Sequence, residues 1–205
     1  MRKISIILYG FAIVVPITAT AQTSTQPKNA VPTAQDEYKP PTQKERFHRY
    51  VAGTFSAESL LRSAAGAAIL QGTDTPTEWG QGAEGYARRF GNSYAQQVMR
   101  HTLMYGASDL LGEDNRYIMS GLTGKGPRLR YAVESSFLAR KADGTRRVSW
   151  SRLGSYVAVA FISREWQPHS TNGAQNAASS LATSLGSEVG FNIAREFLPR
   201  FFRTH

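Results

Sequence analysis

The sequence predicts an all-α fold, a bundle of about five helices with small-residue packing faces, and three observations support it. Apolar residues recur every three or four positions over long segments, which is the spacing of one helix face. Several of these segments open at capping residues and close at glycine or proline. The alternation of polar and apolar residues that marks a half-buried strand is never sustained.

Residues 1–21 are typical of a secretory signal peptide. Arg2 and Lys3 precede a largely apolar run from Ile4 to Ile17, and Ala19-Thr20-Ala21 is a small-residue cleavage site. A membrane span needs roughly 20 apolar residues, so the run predicts export and cleavage, with a retained anchor as the alternative. The expected location is the periplasm or cell envelope.

Residues 22–45 contain four prolines among Thr, Ser, Gln and Asn residues. Such a segment has little apolar surface to bury, and it is predicted to be a disordered linker. The remaining residues, 46–205, are predicted to form a single helical domain.

Five helices are predicted in this domain, over residues 56–71, 75–111, 127–141, 149–165 and 172–198. The first carries Leu61 and Ile69 on one apolar stripe and stops at Gly72. The second opens at Thr75, a residue type that caps helices, and Glu78 three residues later completes a capping box.

The last helix, which Asn172 is predicted to cap, carries a small residue at every fourth position over five turns. These residues are Ala178, Ala182, Gly186, Gly190 and Ala194. Small side chains on one stripe let two helix backbones approach closely, although glycine inside a helix is about 1 kcal/mol less favourable than alanine. The stripe predicts close packing inside the bundle or against a second copy of the chain.

The fourth helix carries Trp150 and Trp166 at its two ends, with Arg152 and Arg164 just inside them. Paired Trp and Arg around an apolar segment is typical of a membrane interface. The segment is short, and Trp at helix ends is also common in soluble cores. Contact with a membrane surface and an ordinary core position are therefore both open.

Positive charge is concentrated in the centre of the chain. The whole sequence has a formal net charge of +9, and residues 116–152 contain nine basic residues against Glu134 and Asp143. A concentrated basic zone predicts an acidic partner. For an exported protein, anionic lipid or an envelope polymer fits better than nucleic acid, and a solvated basic face is the alternative. The chain has no Cys, which excludes disulfides and thiolate metal sites.

A glycine-rich loop, residues 121–126, directly precedes a predicted helix start. Lys125, Arg128 and Arg130 lie close together there, and the free N–H groups of a helix start attract anions. These three residues are therefore the predicted binding site for a phosphate or carboxylate.

The sequence contains no strong catalytic, metal or nucleotide motif. Asp109, Glu113 and Asp114 form an acidic cluster that lacks the spacing of a calcium loop, so no metal site and no cofactor are predicted. His101 lies inside a predicted helix, where a partly buried, hydrogen-bonded histidine is the usual interpretation. The alternative is an envelope hydrolase that uses His101 and helix-borne carboxylates such as Glu84.

Residues 79–91 read W-G-Q-G-A-E-G-Y-A-R-R-F-G, with four glycines in a segment that otherwise has helical spacing. A phosphate-binding glycine motif needs a strand before it, and a capping box precedes this segment instead. The string resembles the core of uncharacterised exported bacterial helical proteins, W-G-x-G-x-x-G-Y-x-x-R-x-G, and Glu113-Asp114-Asn115-Arg116-Tyr117 resembles the acidic-Arg-Tyr element that follows it in them. The resemblance covers about residues 79–161 and implies no catalytic residue.

Together these features predict a non-enzymatic cell-envelope protein. Its basic central segment is expected to hold it at the periphery of a membrane or on an anionic envelope polymer. The small-residue stripes are expected to mediate helix packing or self-association.

Overall fold

The computed structural model describes residues 38–198, which form six α-helices and one two-stranded antiparallel sheet. The elements are α1 Gln43–Phe55, α2 Ala57–Gly72, α3 Gly82–Leu111, α4 Lys125–Glu134, β1 Leu138–Arg140, β2 Arg146–Val148, α5 Trp150–Ile162 and α6 Ala174–Phe197. The predicted all-α class is confirmed, with six α-helices in the described residues where about five were expected. The predicted signal peptide, residues 22–37 of the predicted linker and residues 199–205 lie outside the described residues.

Helix α1 is absent from the predictions and begins inside the expected linker. A capping box opens it: Glu45 N–H donates to Thr42 Oγ1 at 3.3 Å, and Thr42 N–H donates to Glu45 Oε2 at 2.8 Å. Ser56 then ends α1 and caps α2, since its hydroxyl accepts from Ser59 N–H at 3.2 Å. Helix α2 therefore begins where the sequence predicts.

The predicted helix start at Thr75 is wrong. A single 3-10 turn, Thr77–Trp79, stands there, and α3 begins only after it. The Glu78 carboxylate accepts from the N–H and hydroxyl of Ser170, at 3.1 and 2.6 Å. The Thr75 carbonyl accepts from Arg89 Nε at 2.9 Å. The Thr75 N–H and hydroxyl, which a capping box would have used with Glu78, donate to the carbonyls of Leu70 and Thr73 instead.

Helix α3 ends at Leu111 as predicted, because Gly112 adopts the left-handed conformation (φ 61°) that closes a helix. The third predicted helix is too long. Helix α4 ends at Glu134, and the chain continues into strands β1 and β2, which pair with Leu138 opposite Val148.

The last two predicted helices correspond to α5 and α6. Ser149 caps α5, and its hydroxyl accepts from Arg152 N–H at 3.2 Å. The predicted cap at Asn172 is wrong by one residue, because Gly173 precedes the first turn of α6 and no side chain caps that turn. A 3-10 helix, Ser163–Trp166, extends α5.

Helix α3 is the centre of the fold and packs against α1, α2 and α5, while α6 packs against α4 and α5. Helices α2 and α6 also meet: Arg195 lies 3.4 Å from Glu58, and the Arg62 guanidinium lies 3.5 Å from the centre of the Phe191 ring. Four helices, α2, α3, α5 and α6, therefore surround a common interior.

This interior is polar. Among residues 38–198, seven apolar residues are buried against eighteen polar or charged ones, and five of the seven are alanine. Twenty large apolar side chains are exposed, with Leu110 at 89% and Leu61 at 70%. The distribution is the reverse of an ordinary soluble domain, whose core collects the large apolar side chains.

Helix α2 shows the reversal within one element. A stripe such as that of Leu61 and Ile69 ordinarily faces a core, but both side chains are about two-thirds exposed, at 70% and 67%. The buried stripe consists instead of Ser59, Ser63 and Ala67. The polar face of α2 is the one that points into the bundle.

Candidate functional site

The predicted anion site receives a carboxylate of the protein itself. Glu196 on α6 is 1% exposed, and its oxygens accept from Arg128 Nε at 2.9 Å, Ser120 Oγ at 2.5 Å and Tyr117 Oη at 2.7 Å. Burial alone would raise the pKa of Glu196, but these donors hold it below its ordinary value. Arg128 also donates to the Glu196 carbonyl oxygen. The charge of Arg128 is therefore used to fasten α4 to α6.

The other two residues of the predicted anion site do not join Arg128. Lys125 is exposed in the first turn of α4. Arg130 lies one turn later, with its side chain 83% exposed, and pairs with Glu134 at 2.7 Å. Binding of an external anion at Lys125 and Arg130 stays a prediction.

Most of the small-residue stripe of α6 is exposed, and its last two residues, Gly190 and Ala194, line a cavity of about 690 Å³. Ala178, Ala182, Gly186 and Gly190 are exposed, and Ala194 is half-buried. A Cβ placed on Gly186 or Gly190 would meet no described atom within 4 Å. The glycines therefore make no close approach within residues 38–198, and packing of the stripe against a second copy stays a prediction.

The outer face of α5 is uncharged and exposed. Trp150, Gly154, Val157 and Phe161 follow one another at helical spacing, and all four are exposed, Trp150 at 67% and Phe161 at 51%. Trp166 lies at the other end of this segment and is 41% exposed. No helix within residues 38–198 is long and apolar enough to cross a membrane.

The arginines of this segment, which the sequence placed at a membrane interface, turn inward. Arg152 is 3% exposed and donates to the carbonyls of Ser135 at 2.5 Å and Asn115 at 2.7 Å. Arg164 donates to the Thr171 carbonyl at 2.6 Å. Because both arginines bind carbonyl groups of the protein, the outward face of α5 itself carries no charge, and the first exposed charge after it is Glu165 in the 3-10 extension.

Most of the basic central segment is also paired within the protein. Five of its nine basic residues lie within 4 Å of a carboxylate, namely Arg116, Arg128, Arg130, Lys141 and Arg146. Arg147 is exposed on β2, next to exposed Val148 and Trp150. Arg147 therefore lies three residues before Trp150, the first residue of α5.

The polar interior of the bundle encloses a cavity of about 600 Å³. A second cavity of about 690 Å³ adjoins it. Six residues line both cavities, Arg62, Gln97, Arg100, His101, Tyr156 and Glu188. They come from all four helices around the interior, so we call this set the interior polar cluster. Cavities of this size are typical of small-molecule sites.

Glu58 on α2 forms one ion pair within α2 and one with α6, beside the interior polar cluster. Glu58 accepts from Arg62 at 2.5 Å and lies 3.4 Å from Arg195. Burial alone would raise the pKa of Glu58, but the two arginines lower it below its ordinary value. Glu58 is therefore ionised at neutral pH and offsets part of the positive charge.

Glu188 is the carboxylate of the interior polar cluster, and it lies on α6. It accepts from Tyr156 Oη at 3.3 Å. Burial alone would raise the pKa of Glu188, but Arg152, Arg195 and Arg62 lower it below its ordinary value. The same burial, together with the Glu188 carboxylate, raises the pKa of Tyr156. At neutral pH the cluster thus holds an ionised carboxylate and a neutral phenol.

Arg100 and His101, adjacent on α3, have few partners. Among residues 38–198, Arg100 makes no ion pair or hydrogen bond, and its guanidinium lies 4.7 Å from the centre of the Tyr156 ring. His101 Nδ1 lies 3.3 Å from Thr54 Oγ1. Burial lowers the pKa of His101 to about 4, and neighbouring Arg100 adds to the effect. His101 is therefore neutral at pH 7.

A chain of hydrogen bonds between uncharged groups joins α2 to α3 beside the two cavities. Gln97 Nε2 donates to Ser59 Oγ at 2.6 Å, and Ser63 Oγ donates to Gln97 Oε1 at 3.0 Å. Ser59 Oγ in turn donates to the Thr54 carbonyl at 2.7 Å. These bonds fix the side chains next to Arg100 and His101.

Of the interior polar cluster, sequence reasoning singled out His101 alone. The signal for the others was present on α2: Glu58 and Arg62 directly precede Ser59 and Ser63, the residues of its buried stripe. Charged side chains beside a stripe of small residues indicate a polar interior when the large apolar residues occupy the opposite face.

The acidic cluster at the end of α3 serves a structural role. Glu113 is fully buried and accepts from Ser151 N–H at 2.9 Å and Ser151 Oγ at 2.6 Å, at the start of α5. Burial alone would raise the pKa of Glu113, but Ser151 and Trp150 hold it below its ordinary value. Asp109 accepts from Gln43 Nε2 at 2.6 Å. No group of three or more His, Asp or Glu side chains in the described part of the chain is placed to hold a metal.

Glu84, a candidate carboxylate for the hydrolase alternative, lies apart from the interior polar cluster. Its side chain is 78% exposed near the start of α3 and pairs with Arg88 at 2.6 Å. The helix-borne carboxylate that lines both cavities with His101 is Glu188. A histidine with a pKa of about 4 is a weak base at neutral pH.

The glycine-rich string at the start of α3 is built around Arg89. This side chain is fully buried, and its guanidinium bonds the 3-10 turn and its flanks. A Cβ on Gly85 would overlap the Gly80 carbonyl and lie 2.8 Å from Arg89 Nη1. The string thus joins the 3-10 turn to α3.

Comparison of the chain with protein-family models, with curated proteins and with solved structures gives no significant match.

Proposed function

We propose that this protein is a non-enzymatic cell-envelope protein that lies on the surface of an anionic membrane. The contact is made by the outer face of α5, and Arg147 contacts the lipid headgroups. The observation that carries the proposal is the exposed, uncharged stripe of Trp150, Gly154, Val157 and Phe161.

The dimensions of this stripe suit a helix that lies in the membrane plane. From Trp150 to Phe161 it extends about 17 Å, at about 1.5 Å per residue. Interfacial helices bury one apolar face at the boundary between headgroups and acyl chains. Trp150 and Trp166, at the two ends, are residues that favour this boundary. Gly154 has no side chain, so lipid can approach the helix backbone closely at that position.

Charge supports the same orientation. Arg152 and Arg164 bind carbonyl groups inside the protein, so no charged group of α5 has to enter the acyl region. Arg147 is exposed beside Val148 and Trp150. A basic side chain near an anionic surface contributes about 1 kcal/mol to binding.

Flotation of the purified protein with phosphatidylglycerol vesicles and with phosphatidylcholine vesicles tests the proposal. We expect binding to the anionic vesicles and a blue shift of tryptophan emission. Full burial of one large apolar side chain contributes about 1.5–3 kcal/mol, so the double variant Trp150→Ser/Phe161→Ser should bind at least about 10-fold more weakly. Arg147→Glu should weaken binding to anionic vesicles alone.

The matched control is Leu61→Ser/Ile69→Ser, which removes two equally exposed apolar side chains from α2. This variant should bind vesicles like the original chain. Equal loss in the two double variants would reject the α5 face in favour of general surface hydrophobicity. Absence of vesicle binding would reject membrane contact, and sedimentation of the same sample shows whether a second copy covers the face instead.

A further inference from the structure

We propose that the cavity lined by the interior polar cluster binds a small molecule that carries a phosphate group. Arg100 and His101 are the proposed contacts of that group. The proposal concerns the inside of the bundle and does not depend on the membrane contact of α5.

The charge of the cavity wall favours an anion. Seven arginines and four carboxylates line the cavity of about 600 Å³ next to α1. Arg116 pairs with Asp114 at 2.6 Å, and Arg62 pairs with Glu58 at 2.5 Å. Because arginine is always protonated and His101 is neutral, the formal charge of this wall is positive.

Arg100 contributes to this positive charge and lines both cavities. The arginines that stabilise the ionised Glu188 are Arg152, Arg195 and Arg62. Arg100 stacks near Tyr156 and pairs with no carboxylate among residues 38–198. A guanidinium in a partly desolvated site ordinarily binds a carboxylate or phosphate through two parallel N–H groups. An oxyanion in the cavity would supply that missing partner.

His101 complements Arg100. Its Nδ1 lies near the Thr54 hydroxyl, and within the described residues its Nε2 has no partner. His101 lines both cavities. A neutral imidazole can donate one hydrogen bond to an oxyanion without adding a second buried charge. The Gln97 hydrogen bonds hold the neighbouring wall in place.

The occupant is small and hydroxylated or aromatic in part. Tyr50 and Tyr105 stack at 5.0 Å between ring centres, and both line the cavity with Ser56 and Ser108. A volume of about 600 Å³ accommodates a sugar phosphate or the headgroup of a phospholipid. The shared chemistry is the oxyanion, and the two sources are a soluble phosphate ester and a lipid headgroup.

The test uses three probes: inorganic phosphate, glycerol 3-phosphate and phosphatidylglycerol vesicles. The readout is the imidazole C–H resonance of His101, identified by its loss in His101→Gln, together with the thermal unfolding midpoint. We expect the resonance to shift and the midpoint to rise with at least one probe. Arg100→Gln should weaken binding at least about 10-fold.

Arg88→Gln is the matched control, since Arg88 lies on the same helix but is exposed and pairs with Glu84. It should bind like the original chain. Arg100→Lys keeps the charge without the planar fork and should keep part of the affinity, which separates binding from a folding defect in Arg100→Gln. Response to glycerol 3-phosphate identifies a soluble ligand, and response to vesicles alone identifies a lipid headgroup.

Two results would overturn the proposal: no shift of the His101 resonance with any of the three probes, or equal binding by Arg100→Gln and Arg88→Gln. Failure of the proposed membrane contact can be distinguished from failure of this proposal. Trp150→Ser/Phe161→Ser should lose vesicle binding while glycerol 3-phosphate still shifts the His101 resonance.

Discussion

Arg89 should be the most sensitive single position for stability at the start of α3. The side chain is fully buried, and its guanidinium makes five hydrogen bonds. The acceptors are the carbonyls of Thr75 (2.9 Å), Pro76 (2.9 Å) and Gly80 (2.6 Å), Gln71 Oε1 (2.6 Å) and Asp74 Oδ1 (3.1 Å). Arginine has five N–H groups, so every donor is used.

The loss of stability expected on replacing Arg89 follows from these contacts. A hydrogen bond to a charged group contributes about 1.5–3 kcal/mol, but the five values do not add, because Asp74 is half exposed and regains water when Arg89 is removed. Loss of one partner from a buried charged site typically destabilises by about 3–5 kcal/mol. Arg89→Met, which keeps most of the volume, should therefore lower the unfolding midpoint by about 6–20 °C, at about 2–4 °C per kcal/mol.

Thermal unfolding followed by circular dichroism measures this effect, and the adjacent Arg88 supplies the control. The Arg88 side chain is 53% exposed and makes one surface ion pair, so Arg88→Met should change stability by at most about 0.5 kcal/mol. Arg89→Lys, with three donors, should fall between the two. If Arg89→Met and Arg88→Met unfolded at the same temperature, the Arg89 hydrogen bonds would not hold this region together.

Two further results are expected. The free energy of unfolding should rise by about 3 kcal/mol between about pH 4 and pH 6.5. Burial lowers the pKa of His101 to about 4, so only the unfolded chain binds a proton at this histidine in that window. Measurement of unfolding at a series of pH values should show a smaller rise in His101→Gln and the full rise in the exposed His48→Gln. Gly186→Ala should stabilise the isolated chain by about 1 kcal/mol, since a Cβ there meets no described atom within 4 Å. Loss of stability, or of a dimer in sedimentation, would show instead that a second copy packs on the stripe.

Helix ends were predictable where one side chain or one glycine decides them. Ser56 caps α2 and Gly112 closes α3 as the sequence indicates. The Thr75 capping box failed because Ser170, ninety-two residues after Glu78, donates to the Glu78 carboxylate that would have closed it. A local rule has no access to such a partner. The capping box of Thr42 and Glu45 follows the same local rule, but the neighbouring prolines indicate a linker.

The candidate site was harder to predict, because periodicity shows that a helix has two faces and not which of them points inward. Leu61 and Ile69 fit the pattern of a core stripe, and they are exposed. Only the packing of α2 against α3 and α6 shows that Ser59 and Arg62 line the interior. The pairing within the basic central segment was predictable only in part, because Asp114 and Glu134 are near their partners in sequence, whereas Glu113 and Glu196 are distant from Lys141 and Arg128.

One helix links the two proposed sites. Helix α5 presents Arg152 and Tyr156 to the interior and Val157 and Phe161 to the outside, so residues 156 and 157 belong to opposite surfaces. A ligand that binds only the folded state stabilises it by RT ln(1 + [L]/Kd), about 2.7 kcal/mol at 100 times Kd. If α5 stays fixed, membrane and anion stabilise the fold independently and their effects add. If membrane contact moves α5, Tyr156 moves with it, and because coupling is reciprocal the anion must alter vesicle binding to the same degree.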